Sequence, residues 1–474
     1  MSIRDHLIFL LVLIGLPILV LGQNPPAQST DNGAGTTRSV PAGALSGIVG
    51  VDTQPEAESN EDLPQIPAML GGRGSSLAFP SEMERSNYLR AGINVGAGYD
   101  DNALLGSGSQ VGNTTFSVFP NIALDESTSR MRWSLGYGGG LTVNQRLSNR
   151  NQGAHNLNFD SEFRLSPHVN LRAAEDFSLV AGIFGANAGF QSGQGGGNGT
   201  LITPLANQRS SSTVVEANYH FALKDVIGAS GSFYDLHYSD VSTGPENLTD
   251  TRTAAGSAFW LHRLFHGDWA GISYGFQRIT FNPGGKTLVH TFRVMNTLSI
   301  SKRFTLSAFV GPEYSDNHGV AATGPDAGQF THFTDWSIAG GVEGGWQTAR
   351  TSVTAGYAKR VSDGGGYLGA VQLQNVHGAV RRELSPGWSA TFGAAYGNNQ
   401  SVTLTTSTGP TSIKSTSVSA SLDRDIGRSL GLHLGYFHDF QSQSGSTDAS
   451  QNFDAHRNRF SVTLSYQWAK PLGR

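Results

Sequence analysis

From Tyr88 to Trp468, apolar and polar side chains alternate with a period of two, in stretches of about 11 to 15 residues. Successive side chains of a strand face opposite sides, so this period identifies strands. In the first stretch Leu89, Ala91, Ile93, Val95, Ala97 and Tyr99 share one parity, and Arg90, Gly92, Asn94, Gly96 and Gly98 share the other. The last stretch sets Phe460, Val462, Leu464, Tyr466 and Trp468 against Ser461, Thr463, Ser465 and Gln467. Strands of soluble proteins usually run about 5 or 6 residues, whereas a tilted strand crossing a bilayer needs about 9 to 11. These lengths suit a membrane span.

About 18 such segments begin near residues 88, 113, 130, 154, 168, 212, 226, 252, 268, 287, 303, 333, 350, 369, 387, 412, 428 and 458. After even-numbered segments the links are short, as in Ser166-Pro167, Lys224-Asp225, Ser301-Lys302 and Ser385-Pro386. After odd-numbered segments most are long and polar, as in Asp100 to Gly112, Ala181 to Ser211 and Gln441 to Arg457. Short turns at one end and long loops at the other are the asymmetry of bacterial outer-membrane barrels, whose strand number is even. The expected fold is therefore all-β: a transmembrane, antiparallel, up-and-down β-barrel over residues 88–468, with both termini on the periplasmic, short-turn side. The count carries a margin of two, because Val226 to Tyr238 and Gly369 to Leu384 alternate poorly and the link Asn282 to Gly285 is short for an outer loop. A soluble β-propeller also repeats every 40 residues or so, but a blade places four short strands in that span where this chain has two long ones.

Composition agrees with a barrel. Charged residues are 14% of the chain, against roughly 25% in ordinary soluble proteins, and Gly is 61 of 474. The net charge of -4 is too slight to capture nucleic acid. The absence of Cys excludes disulfide scaffolds, thiolate metal sites, Cys nucleophiles and a lipidated N-terminal Cys. Residues 1–22, with Arg4, the apolar run Leu7 to Leu21 and Gly22, read as a secretory signal peptide; an uncleaved anchor helix competes, but Pro17 interrupts the run and it is short for a span. Residues 23–87, rich in Pro, Gly, Ser and Thr, read as a flexible periplasmic tail, too short for a folded plug of about a hundred residues. Residues 469–474 form a C-terminal extension.

In lipid the outward parity must be apolar while the inward parity can be charged. Arg132, Asp160, Glu162, Arg164, Arg172, Glu216, Asn218, Arg293, Glu343 and Asp423 all fall on the second parity, which makes the nine charged ones candidate lumen charges, Arg293 at mid-depth. They either contact a permeant solute or brace the wall as paired ladders. Aromatic residues near strand ends, including Tyr88, Tyr99, Trp269, Phe281, Phe304, Tyr314, Trp388, Tyr396 and Trp468, suit two interfacial girdles, with plain strand propensity as the competing explanation. Sites of other chemistry are not expected. Gly193 to Gly199 lacks the flanking strand, helix and Lys of a phosphate cradle, and no His pair has the helical spacing of a zinc protease. Asp100 with Asp101 reads as solvated loop charge rather than a Ca²⁺ site. No catalytic residue, cofactor or metal is expected, and the chain is not read as an enzyme.

Gly98-Tyr99-Asp100-Asp101-Asn102, Gly311-Pro312-Glu313-Tyr314, Ser362-Asp363-Gly364-Gly365-Gly366 and the closing Ser465-Tyr466-Gln467-Trp468 resemble the β-barrel porin families often found beside exopolysaccharide genes. The resemblance covers about residues 88 to 468. It implies an outer-membrane barrel and carries no substrate or catalytic residue to transfer. The expected function is a channel for passive or weakly selective passage of small polar solutes. The alternative is a non-conducting barrel serving envelope structure, adhesion or exopolysaccharide export. Expected partners are outer-membrane lipid and lipopolysaccharide, the insertion machinery through the last strand, and the solutes themselves. The loop Ala181 to Ser211 is expected to decide between the two readings, by folding into the lumen or splaying outward.

Overall fold

A computed structural model describes residues 87–472 apart from 105–109, 149–150, 181–207, 239–248, 266–267, 283–284, 302, 321–329, 365–368, 403–411, 428 and 445–452. The expected signal peptide, nearly all of the tail and most of the loop 181–211 lie outside the described residues. The first six strands are β1 (Tyr88–Asp100), β2 (Asn113–Ser127), β3 (Met131–Asn144), β4 (Gln152–Ser166), β5 (Val169–Val180) and β6 (Gln208–Ala222). Next come β7 (Asp225–Tyr238), β8 (Asp250–Phe265), β9 (Asp268–Asn282), β10 (Lys286–Ser301), β11 (Phe304–Val320) and β12 (Phe330–Gln347). The last six are β13 (Thr351–Ser362), β14 (Val371–Ser385), β15 (Trp388–Ser401), β16 (Ser412–Ile426), β17 (Leu430–Ser444) and β18 (Phe453–Pro471). Each begins within five residues of its expected start, β18 being the furthest out. β18 also runs three residues past Trp468, the expected end of the barrel.

Every strand pairs antiparallel with the next in the chain, and β18 returns to pair with β1, from Tyr88 opposite Pro471 to Asp100 opposite Arg459. The sheet is a closed 18-stranded barrel. Closure leaves no unpaired edge, which is what a sheet needs in a medium that cannot hydrogen-bond its backbone. Among the described residues no helix is long and apolar enough to cross a membrane.

The short turns are set by local chemistry. Ser166 Oγ accepts from the His168 N–H at 3.2 Å, and Ser301 Oγ accepts from the Arg303 N–H at 3.2 Å. In Ser385-Pro386-Gly387, Pro supplies the first turn residue and Gly387 adopts φ +80°, the left-handed value the next position needs. Just before such turns the outward parity carries a large exposed hydrophobe: Leu165, Ile300 and Leu384.

Outward-facing Ile93, Val95, Phe116, Val118, Leu141, Val310, Ile338, Phe392, Val462 and Leu464 are exposed, while inward-facing Asn94, Thr115, Thr142, Ser315 and Asp439 are buried. This inverts the ordinary soluble pattern, in which large hydrophobes go inside. From Phe460 to Trp468 the outward apolar run covers about 20 Å of barrel height at a rise of about 3.3 Å per residue and a tilt near 40°, most of the roughly 25 Å band of outer-membrane barrels.

Three girdle assignments need correction. Trp269 is on the inward parity of β9 and only 5% exposed, packed with Val226, Phe259, Leu261, Met295, Phe309 and Ala339. Tyr88 and Phe281 also share the inward parity of their strands. Aromatic content near a strand end does not reveal parity, and here the inner wall is locally apolar. Tyr99, Tyr396 and Trp468 do face outward and are exposed. Trp388 faces outward at the turn end, with the Arg424 guanidinium 4.8 Å from its ring centre.

Candidate functional site

The nine candidate lumen charges lie on the inward parity. Most have an opposite charge or a histidine as neighbour. Arg172 binds Asp160 at 2.8 Å and lies 3.9 Å from Glu216, linking β4, β5 and β6. Arg164 is 3.8 Å from Glu162, and Arg132 is the register partner of Glu162. Asp423 meets His433 Nδ1 at 2.6 Å, and Glu343 acts electrostatically on His377. Arg457 of β18 binds Asp100 of β1 at 2.7 Å across the seam between first and last strands, and Arg459 of β18 binds Asp439 of β17 at 2.6 Å; Asp439 also accepts from Ser417 Oγ at 2.6 Å. Apart from Arg164 and Glu162, both on β4, these pairs fix neighbouring strands to one another on the inner wall.

Arg293 belongs to a different arrangement. On β10 its guanidinium lies 5.2 Å from the ring centre of Phe309, and its charge acts on Glu313 of β11. Glu313 is 2% exposed and accepts three hydrogen bonds: from Thr291 Oγ1 at 3.3 Å, Ser337 Oγ at 3.2 Å and the Val361 N–H at 3.0 Å. The third comes from outside the local wall. β12 runs from residue 330, yet its pairing with β13 stops at Gly340 opposite Lys359, so the end of β13 has left its neighbour. Because Val361 binds the inward Glu313, the loop-end tip of the β13–β14 hairpin turns into the barrel.

The tip residues Val361, Ser362, Asp363, Ala370 and Val371 are accordingly buried, Asp363 at 1% exposure. Arg360 interacts electrostatically with both Glu313 and Asp363. The Asp363 charge reaches Tyr234 and Tyr238, inward-facing on β7, which pack with Leu236. Charged groups from β10, β11 and the β13–β14 tip thus converge with phenols of β7 inside the barrel: Arg293, Glu313, Arg360, Asp363, Tyr234 and Tyr238.

Two local sequences make this possible. Gly364 closes the tip with φ +59°, and a Cβ there would fall 2.4 Å from the Gly369 carbonyl oxygen. Pro312 lacks the N–H to pair with β10, and a Cβ on Gly311 would fall 1.8 Å from the Phe292 carbonyl oxygen, so Gly-Pro lets β11 approach β10 closely just before Glu313.

Of the site, the sequence singles out Arg293 alone as a lumen charge. Glu313 and Asp363 were quoted only inside the resemblance segments Gly311 to Tyr314 and Ser362 to Gly366. Arg360 and the two tyrosines carried no signal beyond the poor alternation of Val226 to Tyr238. The arrangement can present both signs of charge and phenol hydroxyls to a polar solute; the groups described here include no nucleophile–base pair poised for covalent chemistry.

No family model matches the chain, and no curated protein matches it in sequence. Many solved structures match in shape. Pseudomonas aeruginosa OpdK, crystallised with vanillate, is 10% identical at a TM-score of 0.40, covering 81% of this chain and 99% of its own. The ferric citrate transporter FecA, unliganded, is 8% identical at 0.42, covering 82% and 79%. Acinetobacter baumannii OccAB2 is 9% identical at 0.40, covering 81% and 98%. This chain is similar to outer-membrane barrels at a level too distant to transfer any property, and its own strand pairing carries the fold.

Proposed function

We propose that the barrel sits in a bacterial outer membrane, short turns and termini toward the periplasm, and passes small polar solutes through a constriction formed by the β13–β14 tip. The single observation that carries this reading is the inward tip, which brings Arg360 and Asp363 to Arg293, Glu313 and Tyr234 within a wall that elsewhere holds paired charges and Ser, Thr and Asn on some strands and an apolar cluster on others. An 18-stranded barrel is wide enough for an aqueous channel, and a loop folded inside narrows it while adding charge selectivity. The lumen pairs of β4–β6 and β16–β18 brace the wall, so selectivity resides at the tip. Lipopolysaccharide and membrane lipid contact the apolar outside, and β18 presents the terminal strand to the insertion machinery.

The test is single-channel recording of the purified protein in planar bilayers. Discrete current steps are expected, and removal of residues 362–369 should enlarge each step. Asp363→Lys should shift the reversal potential in a salt gradient toward anions. A second reading has one observation behind it: the tip is so deeply buried that it could close the lumen, leaving a structural, adhesive or exopolysaccharide-export accessory barrel of the kind the resemblance implies. Silence from the intact protein and steps only after the deletion would favour that reading. Silence from both would defeat the channel.

A further inference from the structure

Beyond the outward aromatic pair Tyr314 and Trp336, whose rings are 5.1 Å apart, β11 and β12 carry Asp316, His318 and His332 toward their loop ends. Residues 314, 316 and 318 share the outward parity of Val310, and residue 332 shares that of Trp336 and Ile338. The register sets His318 directly opposite His332. Their rings stack 4.6 Å apart at 22°. His332 Nε2 lies 2.8 Å and His318 Nε2 3.1 Å from the same oxygen, Asp316 Oδ1. The donor atoms of all three lie within 4.8 Å of one another, and no other described residues form such a group.

We propose that Asp316, His318 and His332 form a binding site for a divalent transition-metal ion of the Zn(II) class. Two imidazoles and one carboxylate are the donors zinc takes, and three protein ligands leave a position for water or an external group. Bonds of about 2.0 to 2.1 Å at tetrahedral angles separate ligand atoms by about 3.3 Å, so to admit the ion the nitrogens at 2.8 and 3.1 Å from Asp316 Oδ1 move slightly outward from it, and the two nitrogens, within 4.8 Å of each other, settle at a similar spacing. The ligands stand on two paired strands, which holds them more firmly than a loop would. His332 is 60% exposed at its side chain, which gives an ion free access from outside the barrel. Among the described residues of β10, Lys286 is the register partner of His318 and weakens the site without blocking it, and His290, the register partner of Tyr314, is the next titratable group on the same face. The site was invisible in the sequence because the two histidines are neither at helical spacing nor close in the chain; the hairpin register brings them together. It stands whether or not the barrel conducts.

The experiment uses the full-length protein in detergent, stripped with EDTA and titrated with Co(II), whose visible absorption reports tetrahedral coordination, followed by displacement with Zn(II). One saturable ion per barrel is expected. His318→Ala and His332→Ala should each weaken binding by more than about 100-fold, the upper end for loss of a mere outer-shell partner. Lys286→Gln should tighten it. His456→Ala removes one ring of the outward pair His438 and His456, which has rings 6.3 Å apart, and should leave binding unchanged. Binding should fade below about pH 6 as the imidazoles take up protons. Where a histidine variant fails to fold, Zn(II) protection of His318 and His332 from diethyl pyrocarbonate in the unaltered protein, read by mass spectrometry, replaces it. The proposal is overturned by the absence of saturable binding, by unchanged binding in both variants, or by no protection.

Discussion

The inner wall is built differently on its two sides. Near the loop end of β16, β17, β18 and β1 it holds Ser417, Asp439, Arg459, Arg457 and Asp100 in short, charge-assisted contacts. Toward the turn end of β7 to β11 it holds Val226, Phe259, Leu261, Trp269, Met295 and Phe309 packed as a small apolar core. Both sets share the inward parity and both are buried. Parity therefore fixes which face a side chain takes and leaves open whether that face is wet. One sector resists change through paired charge, the other through packing, and the two should fail by different rules.

The sharpest contrast comes from cutting the charge sector. Asp439→Ala takes from buried Arg459 the carboxylate it binds, leaving Asp100, already held by Arg457, as its neighbouring opposite charge, and should cost roughly 3 to 5 kcal/mol, read from the urea midpoint of the barrel folded in lipid vesicles. Replacing both, with Asp439→Leu and Arg459→Met, should recover most of that loss, since an uncompensated charge is the expensive species. A loss under about 1 kcal/mol in the single variant would mean that water solvates the seam and that the two sectors are alike after all.

The next comparison sets inside against outside on one strand. Val462→Arg places a guanidinium on the exposed apolar face of β18 and should cost about 2 to 4 kcal/mol in a bilayer. Thr463→Arg, one residue on, points inward opposite His433, whose neighbour is Asp423, and should cost far less. Equal losses would place both residues in the same environment and remove the membrane assignment. Within the apolar sector, Leu261→Ala should cost about 2 kcal/mol, the low end for a buried leucine, measured by the same unfolding curves. No measurable change would show the cluster to be wetted.

Strand number, closure and facing were legible because the outward parity obeys a single rule: lipid tolerates only apolar side chains. The inward parity obeys no single rule, and the sequence reading went astray there. Trp269 reads as a girdle residue only through its place near a strand end, which says nothing of the face it takes. The two segments that alternate poorly, β7 and β14, do so because Leu236, Val371 and Leu373 add large apolar groups to the inward face. Those residues sit at or beside the inward-turned tip. The break in period thus marked the site, although it read as uncertainty in the strand count. Which loop turns inward was not legible. The long loop 181–211 lies mostly outside the described residues; among the described residues the hairpin that enters the barrel is short and is held by a hydrogen bond between Glu313 and Val361, 48 residues apart.

The smallest effect is also the most local. Gly364 closes the hairpin tip with positive φ, and an added Cβ meets the Gly369 carbonyl oxygen at 2.4 Å. Gly364→Ala should therefore cost about 1 to 2 kcal/mol, from left-handed strain and the clash together. Because the tip is only partly paired to the wall, that cost should open the tip rather than unfold the barrel. The urea midpoint should stay where it is while single-channel current grows noisier or larger. A shifted midpoint with unchanged current would tie the tip to the structural sectors and separate it from the path of the solute. The reverse result would make the tip a third kind of inner-wall region, held by one carboxylate and one backbone N–H and free to respond to what passes.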